Sequence, residues 1–264
     1  MCTVCGCGED EVRIEGETHG RHHHHPHPEP SHDEVAQTGA TRRLRLEQDI
    51  LARNDQFAAA NRRHFAERGI LAINLLSSPG SGKTSLLTRS IGDLGGELPL
   101  AVIEGDQQTS NDAERIRACG VPALQINTGK GCHLDAHMIG HALQALQPAE
   151  EGVLFIENVG NLVCPAAFDL GEAQRVVILS VTEGDDKPLK YPDIFHKADL
   201  LLLNKIDLLP HVDFDVGRCI AHARRINPGV RVLRLSARSG EGLEAWYRWL
   251  RASRELARLG RWPE

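Results

Sequence analysis

From residue 71 onward, short apolar runs alternate with stretches in which apolar positions recur every three or four residues. The runs are Leu71-Ala72-Ile73-Asn74-Leu75-Leu76, Leu98–Glu104, Ala123–Ile126, Gly152–Glu157, Val176–Val181, Leu200–Leu203 and Val230–Leu235. Most are apolar at consecutive positions, as strands of a parallel sheet must be when helices cover both of its sides. The alternation predicts an α/β domain over residues 70–264, with seven mostly parallel strands and helices on both faces. Before it, Leu44, Ile50, Leu51, Phe57, Ala58 and Phe65 fall between Thr41, an N-cap candidate, and Gly69, a stop signal. That spacing predicts an amphipathic helix over 41–69 that packs on the domain. Residues 1–40 have almost no large apolar side chain and are expected to form a flexible arm.

The first strand leads into Ser77-Ser78-Pro79-Gly80-Ser81-Gly82-Lys83-Thr84-Ser85, and Leu86-Leu87 opens a helix. A strand that turns through glycines into a helix is a phosphate-binding loop. Gly80 and Gly82 let backbone N–H groups curl around an anion, Lys83 neutralises the outer phosphates and the Thr84 hydroxyl can ligate Mg²⁺. Ser77 stands where the motif has its first glycine, which is expected to cost backbone freedom that Pro79-Gly80 partly restores. The domain is therefore a P-loop nucleotide-binding fold.

Further on, Leu200–Leu203 delivers Asn204-Lys205-Ile206-Asp207 to the carboxyl edge of the sheet, where such folds place ligands. The Asp207 carboxylate can accept two N–H bonds from the N1 and N2 edge of guanine, a pair of donors that adenine lacks. Lys205 can lie along the base, Asn204 can tie this loop to the phosphate loop, and a backbone N–H of Ser236-Ala237 can meet the guanine O6. The expected ligands are GTP and GDP with Mg²⁺. Asp106 and Glu157, at strand ends on the phosphate-loop side, are placed to hold Mg²⁺ directly or through water. No arginine lies in the phosphate loop or in 104–109, so hydrolysis is expected to be slow in the isolated chain.

Composition adds limits. With 264 residues, 41% hydrophobic, the chain can bury a full core, and its net charge of −6 argues against a nucleic-acid partner. No segment is apolar enough to span a membrane, and Met1-Cys2-Thr3-Val4-Cys5-Gly6-Cys7 has no apolar signal region. A cytoplasmic location with reduced cysteines is expected.

Reduced, clustered thiols suggest metal. Cys2, Cys5 and Cys7 can converge on one ion, suiting square-planar Ni²⁺ or tetrahedral Zn²⁺. The run His19 to His32 suits storage or buffering of such ions. A second set lies inside the domain: Cys132-His133 follows a glycine-rich loop, and Cys164 follows the next strand, so the three can meet on one surface and leave one ligand position open. The amino-terminal cluster, within one short loop, is expected to bind more tightly. His137 and His141 share a helix face but read equally well as solvated residues. Glu157 lies only seven residues before Cys164, so loops that feel the γ-phosphate are expected also to position metal ligands.

These residues together resemble the hydrogenase nickel-incorporation GTPases, the HypB family. The likeness covers essentially the whole chain, adding Gly131-Cys132-His133-Leu134-Asp135-Ala136, Glu157-Asn158-Val159-Gly160-Asn161-Leu162-Val163-Cys164-Pro165 and Glu183-Gly184-Asp185-Asp186-Lys187-Pro188 to the motifs above. The resemblance implies a GTP-dependent homodimer that helps insert nickel into the [NiFe]-hydrogenase large-subunit precursor, with a HypA-type zinc-binding partner. It also implies Ni²⁺ at the amino-terminal thiols and Ni²⁺ or Zn²⁺ at Cys132, His133 and Cys164. A urease accessory GTPase is the nearer alternative, but its usual Cys-Pro-His triplet is Cys164-Pro165-Ala166 here. A non-catalytic nickel store is the other.

Overall fold

Leu71–Ser77 (β3) is buried at every position, which only a strand in mid-sheet with cover on both faces can be. The computed structural model describes residues 13–14, 17–18, 35–106, 111–129 and 131–261. Around β3 lie Leu100–Asp106 (β4), Ala123–Asn127 (β5), Val153–Glu157 (β6), Gln174–Ser180 (β7), Leu200–Asn204 (β8) and Arg231–Arg234 (β9). These seven strands run parallel in the order β5-β4-β6-β3-β7-β8-β9, as expected from the sequence. Their carboxyl ends therefore share one edge, where β3, β6 and β8 each release a functional loop.

Alternate side chains divide the core between the two faces. Leu71, Ile73, Leu75, Val176, Ile178, Leu200 and Leu202 point to one face. There they meet Lys83–Leu94 (α2) and Leu243–Leu259 (α8) through Leu86, Leu87, Ile91, Trp246 and Leu250. The opposite face is covered by Val35–Arg68 (α1) and Ala136–Leu146 (α4) through Phe65, Ile139 and Leu143. Beside them, after the single turn Lys187–Lys190 (α5), Pro192–His196 (α6) and Val216–Ile226 (α7) cover Val177, Leu179, Leu201 and Leu203. Between β4 and β5 runs a short helix, Asn111–Arg117 (α3). Among the described residues no helix is long and apolar enough to cross a membrane.

Two features upstream of the domain differ from the sequence reading. The helix starts at Val35, so Thr41 lies inside it rather than capping it; Ala36, Gln37 and Ala40 favour the extension while Val35, Thr38 and Gly39 do not, so propensity alone does not account for the earlier start. Gly69 ends it as expected, in a left-handed conformation at φ +62°. The segment expected to be an arm contains Arg13–Ile14 (β1) and Glu17–Thr18 (β2), and β1 pairs antiparallel with β5. This covers what would otherwise be an open sheet edge.

Two asparagines hold α1 in place. Asn54 Nδ2 donates to the Asp169 carbonyl at 2.8 Å, while its Oδ1 accepts from Ala136 N–H at 2.9 Å. Asn61 Nδ2 donates to the carbonyls of Ala136 and Leu170 at 2.8 and 3.0 Å. The helix is thus clamped to the first residue of α4 and to the 169–170 loop, both next to the metal-ligand candidates.

Candidate functional site

The phosphate loop has the expected form. Gly80 and Gly82 take φ of +74° and +91°, and a Cβ on Gly82 would lie 2.6 Å from Asn204 Nδ2. Both positions therefore require glycine. Ser77 does not: it is the last residue of β3, paired with Ile178, and has no positive φ, so the expected cost of losing a glycine there does not arise. The cleft over the loop is lined by residues 77–85 with Arg115, Gly160 and Lys205. Arg115, on α3, is an arginine that the sequence reading did not find, because it sought one only in the loop and in 104–109.

At the carboxyl end of β6 sits Glu157, almost fully buried. Its Oε1 accepts from Lys83 Nζ at 3.0 Å and from the Thr84 hydroxyl at 2.6 Å, and its Oε2 is shielded from solvent with no partner. The lysine expected to meet phosphate, the Mg²⁺-ligand candidate and the acid thus form one cluster. Asp106 ends β4, where its carbonyl accepts from Thr128 N–H at 3.0 Å; its side chain is not among those lining the cleft. Gln107, Gln108 and Thr109 lie outside the described residues, as do Cys2, Cys5 and Cys7.

The residues expected to recognise the base converge from two strands. Asn204 Nδ2 donates to the Ser81 carbonyl at 2.9 Å, and Lys205 Nζ to the Gly80 carbonyl at 2.6 Å, so both tie the base loop to the phosphate loop. Asp207 Oδ1 is shielded from water and has no hydrogen-bond partner, which is costly unless a ligand donor supplies one. That orphaned oxygen fits the guanine edge. Ser236-Ala237 sits beside this loop, but its N–H groups are committed within the protein. Ser236 N–H donates to the Glu241 carbonyl at 2.8 Å and Ala237 N–H to Asn204 Oδ1 at 3.1 Å. One of these partners lies in the turn between β9 and α8 and the other at the end of β8.

Cys132, His133 and Cys164 meet as expected. Their ligand atoms all lie within 4.8 Å of one another, and among the described residues no other such group of three or more closes. His133 is buried and stacks on Phe168 with ring centroids 3.9 Å apart. Burial pushes its pKa below the ordinary histidine value, against a smaller opposing pull from Asp135, so near neutral pH the ring is in the uncharged form that binds metal. Cys219 behaves differently: burial pushes its thiol up to about 12, leaving it a protonated core residue.

The loop that carries Cys164 and Phe168 rests on Arg175. This buried guanidinium donates to Glu172 Oε1 at 2.6 Å and to the carbonyls of Ala166 and Phe168 at 3.3 and 2.9 Å. Arg175→Leu would leave Glu172 buried and uncompensated, and should cost about 3–5 kcal/mol in urea unfolding. A loss within error of zero would show that this pair does not hold the loop.

One residue joins the two halves of the site. The Asn158 carbonyl accepts from Lys83 Nζ at 2.5 Å, while its Oδ1 accepts from Leu134 N–H at 3.1 Å and Val159 N–H at 3.0 Å. Leu134 directly follows His133, and its side chain fills the space that a Cβ on Gly105 would need, at 2.7 Å. The phosphate-loop lysine is thus one residue away from the metal-ligand loop. Sequence reading missed the role of Asn158, since nothing local marks an amide whose partners lie 24 and 84 positions away.

The chain is similar to known proteins. The CobW/HypB/UreG nucleotide-binding domain profile matches residues 71–234. Hydrogenase maturation factor HypB of Azotobacter vinelandii is 62% identical over 281 aligned positions, covering 96% of this chain and 93% of the relative. The crystal structure of hydrogenase maturation factor HypB from Archaeoglobus fulgidus superposes with a TM-score of 0.72 at 44% identity, covering 77% of this chain and 99% of that one. HypB from Helicobacter pylori, solved in complex with nickel, gives 0.71 at 39% identity, covering 77% and 95%. At this identity and coverage, the chain belongs to the HypB family of hydrogenase maturation factors.

Proposed function

We propose that this protein is a nickel metallochaperone GTPase that binds and hydrolyses GTP and helps insert nickel into the [NiFe]-hydrogenase large subunit. The observation that carries the reading is the wiring of Lys83 through Asn158 to the loop that holds His133. A nucleotide pocket joined so directly to a three-ligand cluster suits a protein that holds or releases an ion according to its nucleotide.

In this reading the backbone of residues 80–85 and the α2 N-terminus receive the phosphates, and Lys83 leaves Glu157 to neutralise them. Thr84 and Glu157 hold Mg²⁺, which would offset the charge that develops during transfer. Asp207 selects guanine, and Lys205 and Asn204 keep the base loop on the phosphate loop. Two thiolates balance the charge of Ni²⁺ or Zn²⁺, the neutral His133 completes three ligands, and the open position takes a donor from a partner. The same reading includes a GTP-dependent homodimer, a HypA-type partner, action in the cytoplasm, and a second nickel site at Cys2, Cys5 and Cys7. The family's nickel-bound relative supports nickel as cargo.

Phosphate release from GTP tests the enzymatic part. Turnover of the isolated protein should lie near 10⁻⁴ to 10⁻³ s⁻¹, roughly the range of small GTPases without an arginine at the γ-phosphate, and Lys83→Ala should abolish it. Turnover of several per second that is lost in Arg115→Ala would contradict the slow rate and make Arg115 the missing group. Phosphate release unaffected by Lys83→Ala would sink the GTPase assignment.

A further inference from the structure

A second imidazole cluster lies on the face of α4 that meets α1. His137 and His141 stand one turn apart, and their Nε2 atoms are 3.1 Å from each other. Two nitrogens bound at about 2.0–2.1 Å to one ion, at angles between square and tetrahedral, stand about 2.9–3.4 Å apart. The observed separation falls inside that span, and an ion bound there would replace the proton that the two rings share in their hydrogen bond. Phe57 of α1 lies against His137 with ring centroids 4.7 Å apart, limiting the rotation of that ring. The two histidines belong to a groove of about 620 Å³ between the helices, which His64 of α1 also lines. His64 Nε2 is shielded with no partner, although it does not complete a group of three within 4.8 Å.

We propose that His137 and His141 form a separate, bidentate site for a borderline divalent cation such as Ni²⁺ or Zn²⁺, distinct from Cys132, His133 and Cys164. Helix α4 rises by about 1.5 Å per residue from the loop that carries His133, so the pair stands close along the chain to that cluster. Two ligands on a partly exposed surface make it the weaker site and the faster to exchange. The proposal rests on the geometry of the pair and does not depend on GTP hydrolysis or on delivery to a hydrogenase.

Diethyl pyrocarbonate, which acylates imidazole nitrogen, tests it in the full-length protein when modification is read residue by residue by mass spectrometry. Zn²⁺ alone and Ni²⁺ alone, each in excess over the thiolate sites, should protect His137 and His141 roughly tenfold, since a bound ion occupies the reacting lone pair. The exposed His211 should stay reactive. In His137→Gln, a change at an exposed position that preserves the helix, His141 should return to its metal-free reactivity. Unchanged labelling on adding metal would overturn the site. So would equal protection of His211, or protection of His141 that survives His137→Gln.

Discussion

Asp207→Asn should lower GTP affinity by roughly 10²- to 10⁴-fold and raise affinity for xanthosine triphosphate. The pocket holds a carboxylate oxygen that no protein donor reaches, so the expected partner is the N–H edge of the base. Two charge-assisted bonds at about 1.5–3 kcal/mol each give that range, at about 1.4 kcal/mol per factor of ten. Xanthine carries an oxygen where guanine has its amino group, so an amide donor fits where the carboxylate did, and discrimination by a buried unpaired group reverses. Lys205 and Asn204 grip the phosphate loop independently, so the fold should survive. Competition of both nucleotides against a fluorescent analogue would measure the switch, and unchanged tight GTP binding would show that the base lies elsewhere.

The second large effect concerns communication rather than binding. Asn158→Ala keeps the carbonyl that meets Lys83 but deletes the side chain that accepts from Leu134 and Val159. Each buried N–H left unpaired costs about 1–3 kcal/mol, enough to loosen the segment next to His133. Turnover of GTP should persist, since Lys83, Thr84 and Glu157 are untouched, while the influence of nucleotide on metal affinity should fall toward none. Coupling energies of about 1–3 kcal/mol, or 5- to 150-fold, are usual between linked sites, so the loss is measurable. Full coupling in a stably folded Asn158→Ala protein would mean that the signal takes another path.

What could be read from sequence was what short segments determine. The phosphate loop, the Asn204-Lys205-Ile206-Asp207 loop and the Cys132-His133 pair each fix their chemistry within a few residues. The expectation that Cys164 meets Cys132-His133 rests on β5 and β6 being neighbours, whereas β4 lies between them; the residues meet because both loops leave the same carboxyl edge of the sheet. The unread parts depend on distant partners. Arg115 lines the phosphate cleft from α3, far along the chain from the loop it faces, and Asn54 and Asn61 bind α4 from a helix that sequence marked only as amphipathic. Nothing local in the sequence marks the partners that the Ser236 and Ala237 N–H groups have here, the Glu241 carbonyl and Asn204 Oδ1. The start of α1 was misplaced because a single threonine is a weak boundary signal.

The central claim is that nucleotide state governs the Cys132, His133 and Cys164 site. It is tested most directly by titrating Ni²⁺ into protein in which Cys2, Cys5 and Cys7 are alanine, with GDP and with a non-hydrolysable GTP analogue. Thiolate-to-nickel absorption reports the domain site without interference from histidines. The two states should differ in affinity by roughly 5- to 150-fold, and nickel should change nucleotide affinity by the same factor, as linkage requires. Equal nickel affinities in both states, with Cys132→Ser and Cys164→Ser each abolishing the absorption, would contradict it.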